Sequence, residues 1–550
     1  MAESFPSRPR GGATRFGAAS APRSRWHYVA ALALGALNTL SFAPTPHGGW
    51  FEIAVFAALY AWLTRTTSWK SAALTGGAFG FGNLLTGVWW LYVSMHQYGE
   101  MAAPLAGAAL VLFSLYLALY PAISAALWSF CAGHTAKSLH RGRSFAPSWR
   151  GAFAFASAWA IGEWLRGTVF TGFPWLASGY AQVDGPLAGF AAIGGVYGVG
   201  WVLALASALI VQCAHAALAR PHRRAPMLLP ALAALGLVAG GILLSHVAWT
   251  RPGNAPLTVR ILQGNVKQEM KFDDAGVRGA LALYEQMITA QAADLIITPE
   301  TAIPLLPQQF PETFARTLRT FSDNTGSSLL IGALGATITP EGRVVDVTNS
   351  LFGISPDSPT LYRYDKRHLV PFGEFVPWGF HWFVRMMNIP LGDLARGTPV
   401  QQPFRVRNQP IDVDICYEDI FGEEIARSLR KAAVPASVLV NASNLAWFGN
   451  TIALDQHLQM ARMRTLETGR PLLAATNTGT TAVIDAQGRV TERLPAFTTG
   501  QIEARVQGMT GRTPYITVGN TLVLTASLLL LALGFAFKPG SRGQERATFR

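Results

Sequence analysis

Long apolar runs alternate with short polar loops over the first half of the chain, and one more such run lies near its end. A helix needs about 20 apolar residues to cross the hydrocarbon core of a bilayer. We predict a membrane helix in each of eight runs, at 27–45, 50–64, 71–95, 104–131, 151–169, 190–219, 226–249 and 517–537. The second and fifth are the weakest, because Glu52, Glu163 and Arg166 lie in or beside them. The pattern therefore predicts a polytopic α-helical membrane protein.

Between the seventh and eighth runs, short β-rich segments alternate with amphipathic helices, which is typical of an α/β domain. Strands are predicted at 257–263, 294–298, 327–333, 346–354, 411–415, 437–443, 471–477 and 480–486, and helices at 276–293, 311–323 and 451–469. The chain therefore divides into three parts. Residues 1–254 hold a polar tail and seven membrane helices, residues 255–510 form the α/β domain, and residues 511–550 hold the last membrane helix and a second tail.

The basic residues predict the orientation of this arrangement, because cytoplasmic loops are enriched in Lys and Arg. Basic residues cluster in alternate segments, and the intervening short loops carry almost none; the clusters include Arg8, Arg10, Arg65, Lys70, Lys137, Arg141, Arg220, Arg223, Lys538 and Arg542. With these segments inside, both termini are cytoplasmic and residues 255–510 lie on the opposite side. The first 25 residues, rich in Arg, Ser, Pro and Gly, are predicted to be a disordered tail.

Composition agrees with a membrane protein and argues against nucleic-acid binding. Half of the residues are hydrophobic and only 14% are charged, whereas charged residues make up about a quarter of soluble domains. The net charge is +13, yet residues 255–508 hold 23 basic and 25 acidic residues, so the excess is scattered among the apolar runs. Three cysteines exclude a disulfide-stapled scaffold and a cysteine-rich zinc framework.

The candidate chemistry lies in the α/β domain, because ligands bind beyond the carboxyl ends of strands in such sheets. The reactive residues that we expect to lie directly after strands are Glu300, Lys366, Cys416, Asn441 or Asn444, and Asn477. Cys416 is the only cysteine of the domain, so it has no partner for an internal disulfide. An unpaired thiol in an oxidising compartment is a liability unless it has a function. A small buried strand cysteine is the alternative interpretation.

A catalytic thiolate at Cys416 needs help, because the acidic neighbours in DICYED raise a thiol's pKa. Lys366 can supply the charge and Glu300 can take the proton. Taken alone, Glu300 is equally explained as an acid at a helix start, and Lys366 as part of a solvated charge run. Motifs for other chemistries are missing from the sequence, including G-x-S-x-G, H-E-x-x-H and a Walker loop. His368 and His457 are isolated and are predicted to be structural, as are Cys131 and Cys213 in apolar helices.

Four motifs, TPETAIP (298–304), YDKRHLVPFGEFVP (364–377), ICYED (415–419) and NLAWFGNT (444–451), together resemble the nitrilase superfamily of carbon-nitrogen hydrolases. A nitrilase-like domain between seven membrane helices and an eighth is similar to the apolipoprotein N-acyltransferase family, as is GFPWLASGYAQ (172–182). The resemblance implies an extracytoplasmic α-β-β-α sandwich. It makes Glu300 the general base, Lys366 the transition-state stabiliser and Cys416 the nucleophile.

The same resemblance implies further residues that bind substrate or support the site, namely Glu374, Tyr417, Glu418, Asn444, Trp447 and Phe272. Phe272 stands where the family has a tryptophan, so an aromatic ring is kept while its N–H donor is lost.

The reaction implied is transfer of an acyl chain from a membrane phospholipid to the α-amino group of a diacylglyceryl apolipoprotein. It would proceed through a thioester on Cys416 and use no cofactor or metal. The implied location is the bacterial inner membrane, with the catalytic domain on the periplasmic side. A membrane-tethered amidase with the same triad is the alternative enzyme, and a transporter or receptor with a binding domain is the alternative of another class. Residues 378–400, which contain WGFHWFVRMMNIPLG, are predicted to form either an interfacial lid or ordinary domain core.

Overall fold

A computed structural model of the chain describes residues 25–132, 147–219, 225–380 and 393–536. Both polar tails and residues 381–392 of the predicted lid lie outside these ranges.

The N-terminal part of the described chain is helical, and each of the eight predicted apolar runs contains a helix. The helices are α1 (Trp26–Asn38), α2 (Gly48–Leu63), α3 (Trp69–Gly87), α4 (Trp90–Val93), α5 (Ala103–Ala132), α6 (Trp149–Arg166), α7 (Ser178–Ala181), α8 (Ala191–Ala219) and α9 (Ala225–Ser245), with α15 (Thr521–Ala536) near the C-terminal end. Among the described residues, three helices are long and apolar enough to cross a membrane, at Ala103–Ala132, Ala188–Ala219 and Pro226–Ser245. Gly48–Leu63 and Thr521–Ala536 are apolar but shorter. The number of eight crossings therefore stays a prediction.

Local sequence explains where these helices begin and how closely they pack. The Ser68 and Ser148 side chains accept hydrogen bonds from Ser71 N–H and Gly151 N–H, which caps α3 and α6. A Cβ atom placed on Gly80 would lie 2.3 Å from Cγ of Pro121 in α5. The glycine is therefore required for the close approach of α3 and α5, as small residues are between packed membrane helices.

The second half of the chain is an α/β domain built on two six-stranded sheets. Its strands are β1 (Thr250–Pro252), β2 (Leu257–Gln263), β3 (Leu295–Ile297), β4 (Ser328–Ile338), β5 (Val344–Ser355), β6 (Ser358–Asp365), β7 (Phe404–Val406), β8 (Gln409–Ile415), β9 (Val438–Ser443), β10 (Leu472–Thr476), β11 (Ala482–Ile484), β12 (Val490–Arg493), β13 (Gly500–Val506) and β14 (Met509–Gly511). Its helices are α10 (Asp274–Thr289), α11 (Glu312–Thr325), α12 (Gly422–Lys431), α13 (Ala453–Thr468) and α14 (Pro514–Val518).

The two sheets have matching topologies. One has the strand order β13-β2-β3-β4-β5-β6 and the other β12-β11-β10-β9-β8-β7, while β1 and β14 form a separate pair. The strands β2, β3 and β4 are parallel, as are β8, β9 and β10, and the flanking pairs are antiparallel. Each sheet therefore places a set of parallel carboxyl ends at one edge, where the candidate residues follow β3 and β8.

Apolar side chains pack in three layers around these sheets. One cluster fills the space between them and includes Ile261, Leu330, Val413 and Val440. A second lies between the first sheet and helices α10 and α11, and a third between the second sheet and helices α12, α13 and α14. These layers make the domain an α-β-β-α sandwich, as the resemblance implied.

Helix α13 joins the sandwich to the helical half of the chain. Gln456 accepts hydrogen bonds from the indole N–H groups of Trp90 (3.2 Å) and Trp175 (2.7 Å) and donates to the Gly87 carbonyl (3.2 Å). Further along the helix, the Glu467 carboxylate accepts from Val196 N–H at 2.8 Å, at the kink of α8. These polar side chains of α13 are therefore buried against the helices, and their hydrogen bonds connect the two halves of the chain.

Glu163 and Arg166, the charged residues that made the fifth predicted membrane helix uncertain, also stabilise this junction. The Glu163 carboxylate accepts from the Ser178 N–H (2.8 Å) and hydroxyl (3.0 Å). Arg166 donates to the carbonyls of Phe173 (3.1 Å) and Trp175. Both side chains thereby fix the loop after α6, which contacts α13 of the sandwich through Trp175.

Candidate active site

Cys416 lies at a sharp turn directly after β8, where the chain enters the short 3-10 helix Cys416–Ile420. Its φ is +54°, a left-handed conformation that is uncommon for residues other than glycine and is concentrated at functional sites. The Asn441 amide donates to the Cys416 carbonyl at 3.0 Å, and Ile415 N–H donates to the Glu418 carboxylate at 2.7 Å. Neighbouring side chains therefore hold the thiol at the end of the strand.

Glu300 follows β3 and is buried. One of its carboxylate oxygens, Oε1, accepts from the Asn349 amide at 2.7 Å and from the Lys366 ammonium at 3.2 Å. The other, Oε2, accepts from Asn444 N–H at 2.6 Å. Three donors from three separate segments thus fix the orientation of the carboxylate.

Lys366 follows β6 directly, and its side chain is 1% exposed. In addition to Glu300, its ammonium donates to Oε1 of Glu374 at 2.9 Å. The Asn349 amide also donates to Oε1 of Glu374, at 2.9 Å. The structure therefore brings Glu300, Lys366 and Glu374 together in one buried cluster around Asn349.

The electrostatics of the cluster keep Glu300 ionised and Cys416 protonated in the resting state. Burial pushes the pKa of Glu300 up, but the ammonium groups of Lys366 and Lys271, with the donors Asn349 and Asn444, bring it below its ordinary value. Burial and the Glu300 carboxylate raise the pKa of the Cys416 thiol well above 9, against the opposing effect of Lys366. Although burial lowers it, the pKa of Lys366 is well above its ordinary value because of Glu300 and Glu374.

Glu418 and Asn444 occupy supporting positions. The fully buried Glu418 carboxylate accepts from Ile415 N–H on one side, and from Arg367 N–H (2.9 Å) and His368 N–H (3.2 Å) on the other. It thereby ties the turn at Cys416 to the segment that follows Lys366. Besides holding Glu300, Asn444 donates to the Gln268 side chain at 2.8 Å.

The three predicted aromatic residues lie in different surroundings. The Tyr417 hydroxyl donates to the Gly172 carbonyl at 3.0 Å, and its buried ring packs on Phe421. The Trp447 carbonyl accepts from the Ser94 hydroxyl at 2.7 Å. Tyr417 and Trp447 therefore contact the helical half, whereas Phe272 is 58% exposed. Their roles toward substrate stay predictions.

His368 and His457 contact neighbouring polar groups. The His368 ring lies 2.9 Å from the Glu424 carboxylate and 3.0 Å from the Thr171 carbonyl. His457 lies 3.2 Å from Asp419, whose charge raises its pKa although burial opposes this. Within the described ranges, no group of three or more potential ligands could hold a metal ion.

Two residues of the cluster escaped the sequence reasoning. Asn349 lies inside β5 rather than at a strand end, and it donates to both Glu300 and Glu374. Lys271 lies in a polar segment before α10, where its buried ammonium donates to the Glu300 carbonyl at 3.3 Å. The resemblance drew attention to Phe272. The position of Lys271 next to Phe272 is the one signal in the sequence that could have pointed to this lysine.

Comparisons with known proteins place both halves of the chain among described relatives. A family model for the apolipoprotein N-acyltransferase N-terminal domain matches residues 34–209, and one for carbon-nitrogen hydrolases matches residues 241–515. An apolipoprotein N-acyltransferase of Ralstonia nicotianae is 51% identical, with 94% of this chain and 95% of that one covered. Another, of Bordetella bronchiseptica, is 41% identical over 94% of this chain and 98% of its own. A solved carbon-nitrogen hydrolase from Helicobacter pylori is 14% identical with a TM-score of 0.33, and 51% of this chain and 94% of that one are covered.

Proposed function

Because this chain belongs to the apolipoprotein N-acyltransferase family, we propose that it acylates the α-amino group of the N-terminal diacylglyceryl cysteine of apolipoproteins. A membrane phospholipid is the acyl donor. The observation that carries the proposal is the buried cluster in which Lys366 joins Glu300 and Glu374, with the thiol of Cys416 in its electrostatic field.

The first half-reaction forms a thioester on Cys416. The thiol sulfur attacks the ester carbonyl carbon of the phospholipid while the thiol proton moves to Glu300. The two steps coincide, because burial disfavours a free thiolate in the resting enzyme. The electron pair displaced from the carbonyl forms an oxyanion that the Lys366 ammonium stabilises. When the oxyanion collapses, the carbon–oxygen ester bond breaks and the leaving oxygen takes the proton from Glu300, which releases a lysophospholipid.

The second half-reaction uses the same groups. The α-amine of the apolipoprotein attacks the thioester carbonyl and passes one proton to Glu300. The collapse of the second oxyanion breaks the carbon–sulfur bond, and the departing sulfur recovers that proton. An α-amino group has an ordinary pKa of about 8, so a usable fraction is neutral at pH 7. Free enzyme is restored and no external reactant is consumed.

The junction of the two halves suits substrates that carry acyl chains. Moving such a chain into water costs about 0.8 kcal/mol per exposed CH₂ group, so the chains must stay in an apolar phase while their head groups react. Tyr417, next to the nucleophile, donates to Gly172 in the helical half, and Trp447 accepts from Ser94 there. These contacts support an active site beside the bilayer rather than one in open solvent. Keeping water away from the thioester also prevents hydrolysis.

The arrangement in the membrane completes the proposal. Residues 1–254 and 511–550 provide eight membrane crossings, with both termini in the cytoplasm, and residues 255–510 form the catalytic domain in the periplasm. The membrane is the bacterial inner membrane. Three helices of sufficient length and apolar character and the clustering of basic residues in alternate loops support this topology.

The test is mass spectrometry of Cys416 peptides from detergent-purified protein incubated with a defined phospholipid and no acceptor. We expect an acyl adduct on Cys416 that disappears when a diacylglyceryl-cysteinyl peptide is added, with the N-acylated peptide as product. Cys416→Ala is the matched control and forms neither. If the wild-type protein forms no adduct and releases ammonia from a small amide, the amidase alternative replaces this proposal.

A further inference from the structure

Lys271 is a second buried ammonium beside the proposed base. It follows the 3-10 helix Gln268–Met270 and precedes the capping residue of α10. Its side chain is 5% exposed although its neighbour Phe272 is 58% exposed. The ammonium donates to the backbone carbonyl of Glu300 at 3.3 Å. A lysine is rarely buried without a partner, and here the partner belongs to the base itself.

The charge of the cluster explains why a second ammonium is needed. Lys366 donates to two carboxylates, those of Glu300 (3.2 Å) and Glu374 (2.9 Å). Two negative charges therefore face one positive charge, which leaves an excess negative charge in a buried site. Lys271 cancels that excess and leaves the cluster neutral.

We propose that Lys271 is a positioning residue for acyl transfer: its buried ammonium holds the backbone of Glu300 and neutralises the cluster in which the oxyanion forms. This inference rests on the function proposed above.

The balance persists through the reaction. When the thiol proton moves to Glu300, the carboxylate loses its negative charge and the oxyanion acquires one, so the total charge of the site is constant. Without Lys271 the site would carry one uncompensated negative charge both before and after that step. Such a charge is costly in a medium of low dielectric constant, and it would oppose the oxyanion directly.

The titration of Lys271 supports this role. Burial lowers the pKa of Lys271 to about 8, against the opposing charges of Glu300 and Cys416. The ionisable groups that act on Glu300, Cys416 and Lys271 are one another, Lys366, Glu374, Asp419 and, behind the nucleophile, His457. Of the two ammonium groups, Lys366 has a raised pKa, so Lys271 is the one expected to lose its positive charge near pH 8. His457, whose pKa is raised above 6.5, is the other cation that titrates in this range, and it is the same in every variant compared.

The experiment measures the rate of thioester formation on Cys416 between pH 5 and 10 in four proteins: wild type, Lys271→Met, Lys271→Arg and Lys267→Met. Lys267 is exposed and lies four positions earlier, so it is the matched control. We expect Lys271→Met to slow the reaction about tenfold to hundredfold at pH 7. In the plot of rate against pH, the rise on the acid side should move to higher pH by about one unit in this variant, because the pKa of Glu300 increases when a neighbouring positive charge is lost. Lys267→Met should match the wild type.

The arginine variant keeps the test valid if Lys271→Met fails to fold. We expect the rate of the wild-type protein to decline near pH 8, where Lys271 loses its positive charge. Arginine stays charged at every pH used, so this decline should be absent from Lys271→Arg. Equal declines in both proteins would overturn the inference, as would a folded Lys271→Met with the rate and pH profile of Lys267→Met. If the wild type itself forms no thioester, the proposed function fails instead, which separates the two outcomes.

Discussion

Replacing Glu418 with glutamine tests whether the carboxylate behind the nucleophile holds the active site together. Glu418 is fully buried and accepts from four donors, namely Ile415 N–H, Arg367 N–H, His368 N–H and the Tyr364 hydroxyl. Glutamine has nearly the same shape but replaces one acceptor oxygen by an NH₂ group. Whichever oxygen is replaced, at least one backbone N–H then faces a donor.

The expected cost follows from these contacts. A hydrogen bond to a charged group contributes about 1.5–3 kcal/mol, and a buried donor left unsatisfied costs about 1–3 kcal/mol. We therefore expect Glu418→Gln to lower the free energy of unfolding by about 2–5 kcal/mol. Because Glu418 connects the turn at Cys416 to the segment after Lys366, thioester formation should slow by about a hundredfold, as for an ångström-scale misplacement.

The assay combines thermal unfolding in detergent with the rate of thioester formation on Cys416. Glu341→Gln is the matched control, since Glu341 is an exposed glutamate of the same domain. If Glu418→Gln and Glu341→Gln have the same unfolding temperature and the same rate, Glu418 does not hold the turn and the reasoning is refuted.

Three further predictions concern the turn, the junction and the thiol. Since Cys416 has a φ of +54°, Cys416→Gly should be more stable than Cys416→Ala by about 1 kcal/mol; thermal unfolding in detergent measures this, and the reverse order would contradict it. Gln456→Leu leaves the indole N–H groups of Trp90 and Trp175 without their acceptor. It should therefore lower the free energy of unfolding by about 2–4 kcal/mol in the same assay, whereas the control Gln487→Leu, at an exposed position, should change it little. Because burial and Glu300 raise the pKa of Cys416 well above 9, its alkylation by iodoacetamide, followed peptide by peptide, should be slower at pH 7 than that of free cysteine and should still increase above pH 9. A plateau below pH 8 would mean that the resting thiol is already activated.

The apolar pattern predicted the centre of each sheet but missed its edges. Strands β2, β3, β4 and β5 and strands β8, β9, β10 and β11 were all predicted from their apolar residues. The four strands missed in the two large sheets, β6, β7, β12 and β13, are the four edge strands. Edge strands are less buried and carry more polar side chains, as SPTLYRYD in β6 illustrates. Lys366 nevertheless follows the end of β6, although that strand was not predicted.

The strand-end rule has a similar limit for the site. It pointed to Lys366 and Cys416, which directly follow β6 and β8, and to Glu300, which follows β3 after two intervening residues. It could not identify Asn349, because that amide projects from within β5 and donates to two carboxylates. It also could not identify Lys271, which reaches Glu300 from a loop whose other side chains are mostly exposed. Such contacts depend on how loops fold over a sheet, and a linear pattern does not encode them.

The contacts of helix α13 have a consequence for the order in which the protein is made. Gly87, Trp90, Trp175 and Val196 leave the ribosome long before Gln456 and Glu467, which satisfy their hydrogen bonds. Until α13 has been synthesised, these polar groups lack the hydrogen-bond partners that they have in the finished protein. A nascent chain that stalls before residue 453 therefore exposes polar groups and apolar surface that the finished protein buries. The helical half therefore reaches its final hydrogen bonding only near the end of translation, and before then it exposes surface of the kind on which chaperones and proteases act.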